Sequence, residues 1–212
     1  MPSDLAGSLW VDSLWIGGSP CSGKSTIAAQ LAATRGRPLY SCDDAFEGHA
    51  LAADLDDGPT LKKVVALSVA DRIAQPLDVQ VADVIRLYHE QFPMILRDLG
   101  EFQEAPVVEG AALLPELLAD LPIVTDRAVW LVPTADFQRR HYARRSWAWA
   151  LLQETPDPAE AFERWMERDA VFAALVAEQA RDLGYRVITV DGTRTWVEIA
   201  AEVAGAFSRE PA

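Results

Sequence analysis

Two kinds of apolar pattern alternate along the chain. Short continuous runs occur at Leu14-Trp15-Ile16, Pro38 to Ser41, Pro106 to Val108, Ala128 to Val132 and Tyr185 to Val190, and their length predicts five strands. Between them, apolar residues recur every three or four positions, the spacing of one helix face. Ile27 to Ala32 is such a stretch, followed by Leu61 to Ala74 and Val79 to Leu99. The last carries Val81, Val84, Ile85, Tyr88, Phe92, Ile95 and Leu96 on one face. Gln75-Pro76 should break the backbone between them. Ala111 to Leu118 reads as a helix or turn. Further on, one helix is predicted from Phe137 through Leu152, a longer one from Ala159 to Leu183 ended by Gly184, and a last one from Trp196 to Phe207. Residues 1–12 read as a loose lead-in in which Trp10 and Val11 pack beside the first strand, and Gly48 to Leu61, acidic and punctuated by Gly and Pro, as a surface loop. Strands alternating with helices predict an α/β three-layer architecture with a five-stranded parallel sheet. A single domain over 1–212 accommodates the pattern, with a helical insertion at about 45–100.

Chemistry enters where the first strand ends. Gly18-Ser19-Pro20-Cys21-Ser22-Gly23-Lys24-Ser25 fits G-x-x-x-x-G-K-[ST], and Thr26 leads into the helix behind it. Strand, glycine loop and helix is the order in which backbone N–H groups wrap an anion at a helix N-terminus. Gly18 and Gly23 suit a sharp turn and close backbone approach. Lys24 is then expected to reach the β- and γ-phosphates of a nucleoside triphosphate, and Ser25 to offer its hydroxyl to Mg²⁺.

Carboxylates follow the next two strands. Asp43 and Asp44 come after Ser41-Cys42, where ligands collect in open α/β sheets. Asp43 or Asp44 is expected to accept a proton from a substrate hydroxyl or to hold the water shell of Mg²⁺, the other reading of Asp44 being a cap on the following helix. Glu109, at the end of the third strand, is expected to orient Mg²⁺ or its waters, since a buried unpaired carboxylate is costly. After the fourth strand, Arg139, Arg140, Arg144 and Arg145 form the one basic cluster of note. Arginine forks match phosphate oxygens, so this segment reads as a lid, about 137–170, with Arg140, Arg144 or Arg145 on the triphosphate. Arg168 is a weaker candidate whose expected fate is an ion pair with Asp169. The turn Asp191-Gly192-Thr193 after the fifth strand is placed to pass under a nucleobase. His89 reads as a surface or packing residue.

Composition narrows the partners. Nineteen Lys and Arg against 32 Asp and Glu give a net charge of −13 over 212 residues. An acidic chain is a poor nonspecific binder of nucleic acid or anionic membrane. No apolar run is long enough to span a bilayer, and Met1 to Leu5 lacks the basic and apolar segments of a secretion signal. The two cysteines, Cys21 and Cys42, sit in or beside the expected site, so reduced thiols and a cytoplasmic location are the simpler expectation. Modification of Cys21 is expected to block nucleotide entry.

Taken together, Gly18 to Ser25, Asp43-Asp44, Val107-Val108-Glu109-Gly110, the arginine-rich helix and Val190-Asp191-Gly192-Thr193 resemble the small P-loop kinases. That group holds nucleoside and nucleotide kinases, shikimate and gluconate kinases, and antibiotic phosphotransferases such as the chloramphenicol enzyme. The resemblance implies strand order 2-3-1-4-5, ATP with Mg²⁺, and a mobile lid. It matches Lys24 and Ser25 to the phosphate and metal residues, Asp43 to the acceptor-side carboxylate, Glu109 to the second acidic position, and Arg140 or Arg144 to the lid arginines. Where nucleotide kinases have an arginine for a monophosphate, this chain has Asp-Asp, and its insertion holds few basic residues besides Lys62, Lys63, Arg72 and Arg86. The expected reaction is transfer of the γ-phosphoryl group to a hydroxyl of a small molecule, by a monomer or homodimer. A nucleoside or nucleotide kinase and a nucleotide-binding regulatory protein are the alternatives. An arginine pair in the acceptor pocket would favour the first, and absence of a pocket between residues 45 and 100 the second.

Overall fold

A computed structural model describes residues 9–123 and 125–207. Most of the lead-in and the Met1 to Leu5 segment lie outside them. Five strands form one all-parallel sheet, β1 (Leu14–Gly18), β2 (Leu39–Ser41), β3 (Val107–Glu109), β4 (Ala128–Pro133) and β5 (Arg186–Val190), in the order β2-β3-β1-β4-β5. The expected order 2-3-1-4-5 is therefore the observed one.

The period-two alternation of each strand sorts its side chains into two layers. Leu14, Ile16, Val107, Val129, Leu131 and Ile188 pack under α1 (Lys24–Arg35) and α10 (Trp196–Ala206). Trp15, Val108 and Trp130 face the opposite way, toward α5 (Leu77–Leu99), α6 (Pro115–Ala119) and α9 (Pro158–Asp182). Trp10, in the helical turn 9–12, packs against this second layer, and its carbonyl accepts from Trp15 Nε1 at 3.2 Å.

The insertion departs from expectation in two places. α2 (Cys42–Ala52) starts directly after β2 and runs through Gly48, so the expected surface loop shrinks to 53–58. Lys62 Nζ donates to the carbonyls of Ala50 and Leu51 at 3.0 and 3.4 Å, which satisfies the end of that helix. The helix expected over Leu61 to Ala74 is two, α3 (Pro59–Ala66) and α4 (Val69–Ala74), because the Ser68 hydroxyl caps a fresh start by accepting from Asp71 N–H. Pro76 separates α4 from α5 as expected.

The arginine-rich helix is also interrupted. α7 (Ala135–Tyr142) stops, and α8 (Ser146–Leu152) begins after Arg145, whose backbone is extended. Trp149 Nε1 donates to the Ala143 carbonyl at 2.9 Å, an acceptor that a continuous helix would have engaged internally. Arg140 and Arg144 therefore do not share one face of a continuous helix. No helix among the described residues is long and apolar enough to cross a membrane.

Candidate functional site

The site lies at the C-terminal ends of β1, β2 and β3. Gly18 has φ 124, and a Cβ there would stand 2.0 Å from the Leu131 carbonyl oxygen, so strand packing alone requires glycine at that position. Gly23, at φ 82, is the N-cap of α1 and supplies no side-chain cap. Cys21 takes the left-handed conformation too, with φ 65. Among the described residues, no hydrogen bond occupies the N–H groups of Cys21, Ser22 or Gly23, and the buried Ser22 Oγ has no partner. A turn of unpaired N–H groups at an uncapped helix start is a receptor for anionic oxygens. Gln138, on α7, braces this loop by donating to Ser19 Oγ at 3.4 Å and to the Pro20 carbonyl at 3.1 Å. The sequence reading passed over Gln138, which stands between Phe137 and Arg139 with nothing to mark it.

Lys24 is 4% exposed and makes no hydrogen bond or ion pair among the described residues, although its charge acts on Glu109. Ser25 Oγ donates to Glu109 Oε2 at 3.1 Å. The parallel register sets Glu109 beside Ser41 on one side and Ile16 on the other, and the neighbouring Ser41 hydroxyl, like that of Ser25, works to lower its pKa. Burial raises the Glu109 pKa, Lys24 opposes that rise, and Asp43 adds to it. The donor set is one hydroxyl, one enclosed carboxylate and one neighbouring carboxylate, and no cluster of three His, Cys, Asp or Glu is present among the described residues. That set fits Mg²⁺, which needs only one or two carboxylates when phosphates and water complete its shell.

Asp43 lies close enough for its charge to act on Glu109 because Gly110 lets the start of α2 come close: a Cβ on Gly110 would lie 2.4 Å from Cys42 Cβ. The helix is capped by Ser41, whose Oγ accepts from Asp44 N–H at 3.3 Å. The capping expected of Asp44 is thus done by Ser41, and Asp44 is exposed in the first turn. A chain of polar groups holds α2 from behind. Gln91 Nε2 donates to the Cys42 carbonyl at 3.1 Å and stands 3.2 Å from His49 Nδ1, while His49 Nε2 and Tyr40 Oη both bond Asp98 Oδ2. An Nε2–H tautomer of His49, donating to Asp98 and accepting from Gln91, satisfies every member.

Beyond Asp43, within the insertion, lies a cavity of about 320 Å³ walled by Phe46, Leu87 and Tyr88 and by the polar Arg72, Gln80 and Arg168. Arg168 is paired with Asp169 as expected, its Nε and Nη2 at 2.9 and 2.5 Å from Oδ1, yet it also faces this cavity. His89 is exposed and bonds Glu116 at 2.7 Å, a surface contact.

The arginine segment is spread around the loop. Arg139 pairs with Glu163, and Arg140 and Arg144 are exposed, with charges that act on His141. Arg145 stacks over Tyr142 and Trp147 at 5.3 and 5.7 Å and is the member whose charge reaches Cys21. In the Asp191-Gly192-Thr193 turn, Asp191 Oδ1 accepts from the N–H and hydroxyl of Thr193 at 2.9 and 2.7 Å. Gly192, at φ 88, abuts the Phe137 ring, which stacks on His141 at 4.0 Å.

No protein-family profile matches the chain, and no curated protein sequence matches it. Among solved structures, an uncharacterised protein from Eubacterium ventriosum is 17% identical over 92% of this chain and 96% of its own, with a TM-score of 0.48. A Chloroflexus aurantiacus protein provisionally described as a kinase is 18% identical over 92% of this chain and 98% of its own, with a TM-score of 0.41. Both are distant likenesses, and nothing about the reaction follows from them.

Proposed function

We propose that the chain is a phosphotransferase that moves the γ-phosphoryl group of ATP to a hydroxyl of a small molecule. One observation carries this reading. Asp43 lines the 320 Å³ cavity, and its charge also acts on Glu109, which holds the Ser25 hydroxyl beside the glycine loop. A donor half and an acceptor half thus meet at one carboxylate.

In this reading the unpaired N–H groups of the loop and Lys24 take the phosphates, while Asp191, Gly192 and Thr193 border the base. Mg²⁺ on Ser25, with Asp43 and Glu109 nearby, supplies charge neutralisation across the phosphoryl oxygens. Asp43 orients the acceptor hydroxyl, whose oxygen forms the new bond to phosphorus as the bond to the ADP oxygen breaks and ADP leaves with the electron pair. The hydroxyl proton passes to Asp43 and from there to solvent. Arg140 and Arg144 carry charge to the outer phosphates when the segment around them closes. A regulatory nucleotide switch would need no acceptor pocket between residues 45 and 100, and the cavity lies there.

The test is ADP release in the presence of ATP, Mg²⁺ and panels of nucleosides, sugars, polyols, small acids and antibiotics. At least one acceptor should raise turnover above the bare ATPase rate, and silence across every panel would sink the proposal. Lys24→Ala should abolish turnover with the circular dichroism and thermal unfolding unchanged. Asp43→Asn should lower kcat by roughly 10²- to 10⁴-fold with little change in ATP affinity. Equal loss of both would make Asp43 a metal or structural group instead.

A further inference from the structure

Resting on that phosphotransferase reading, we infer that the acceptor is a small oxyanion, a hydroxyl-bearing carboxylate or phosphate ester. Its charged group sits between Arg72 and Arg168, and it donates a hydrogen bond to Gln80 Oε1. Among the insertion's basic residues, Lys62 is spent on helix carbonyls, and Lys63 and Arg86 both bond Asp83, at 2.5 and 3.4 Å. Asp83 lines the same cavity, so its charge is already met.

Arg72 is different. Its guanidinium makes no hydrogen bond or ion pair among the described residues, and it lines the cavity with Arg168. Burial and the charge of Arg168 both lower its pKa, with Glu154 opposing them. Arg168 gives two of its nitrogens to a single oxygen, Asp169 Oδ1, and keeps Nη1 uncommitted. Two guanidinium groups on one wall repel each other, and an oxyanion placed between them removes the repulsion and fills planar donor forks.

Gln80 points to the same ligand independently. It is 6% exposed, and its Nε2 donates to the carbonyls of Ile73 and Gln75 at 3.0 and 2.8 Å. Two carbonyls can only accept, so the amide orientation is fixed. Its Oε1 is therefore the end without a partner, buried within a residue that lines the cavity. A buried acceptor left unpaired carries a desolvation cost that a donor on the ligand relieves. The cavity thus presents a cationic wall, one lone acceptor and Asp43 for the reacting hydroxyl.

The experiment is calorimetry on the full chain held at saturating Mg²⁺ and β,γ-imido-ATP, so that the glycine loop is filled. The probes are hydroxy acids of three to seven carbons, their methyl esters, and sugar and nucleoside monophosphates. At least one anion should bind, its neutral counterpart about tenfold or more weaker, and Arg72→Gln should lose about tenfold or more of the anion affinity. Arg72→Lys should restore part of it. Binding of hydroxy acids but not phosphate esters assigns the carboxylate, and the reverse assigns the phosphate. Equal binding of neutral and anionic probes, an unchanged Arg72→Gln, or no anion bound at all overturns the inference. ADP release with neutral acceptors would overturn it while leaving the phosphotransferase standing. Arg72-dependent anion binding with no ADP release by any acceptor would do the opposite.

Discussion

Cys21 shows how much a single position gains from its surroundings. Burial pushes its thiol above the usual range, and Asp169 adds to that, while Arg145 and Lys24 pull the other way. Less thiolate at neutral pH means slow alkylation, since the thiolate is the nucleophile. Iodoacetamide should label Cys21 more slowly at pH 7.5 than it labels a free thiol, and the rate should climb about tenfold per pH unit well past the ordinary thiol range. The buried Cys42, raised further still by burial, should stay unlabelled in the folded protein. Saturating MgATP should slow Cys21 further, and unchanged labelling would place the nucleotide away from the loop. Residues with a motif around them were legible in the sequence: Gly18 to Ser25, Glu109 at a strand end, and the Arg168 to Asp169 pair. Gln138, Arg72 and Gln80 were not. Their contacts and their places on the loop or the cavity come from long-range neighbours, at positions where the local pattern calls only for a polar residue on a helix.

Whole elements follow the same logic. The strands were read to within a residue or two, because a continuous apolar run has one use in a sheet covered on both faces. Helix ends were read less well. Ser41 and Ser68 took caps that no apolar periodicity announces, and a tryptophan side chain six residues away ended α7. The end of β3 and the start of α2 also meet closely, over Gly110. Gly110→Ala should force the start of α2 outward, lowering stability by roughly 1–3 kcal/mol in a denaturant titration. It should lower turnover more than ATP affinity, because Asp43 rides on the displaced turn. A variant with full turnover would show that the position of α2 is not what places the acceptor.

At the scale of the molecule, the apolar interior is uneven. Two large clusters flank the sheet, and α5 joins one of them through Phe92, Ile95 and Leu99, whereas α3 rests on a small one built around Ala50, Ala53, Leu61, Leu87 and Met94. Local opening is easiest where few apolar groups hold an element. Amide exchange across Leu61 to Ala74 should therefore be faster than in β1 and β4, and a bound acceptor should slow it selectively. Uniform exchange across both regions would contradict this ranking. The brace from Gln138 to Ser19 and the Pro20 carbonyl has its own consequence for motion. It anchors the first half of α7 to the loop that α7 would have to cover, so a swing cannot begin there. Any closure of the segment would turn instead at Ala143 to Arg145, where the N–H groups of Arg144 and Arg145 bond back only three residues, to His141 and Tyr142. Arg140, Arg144 and Arg145 would then lie at or before the pivot and approach the loop by a short movement, while the far end of α8 would sweep the long arc.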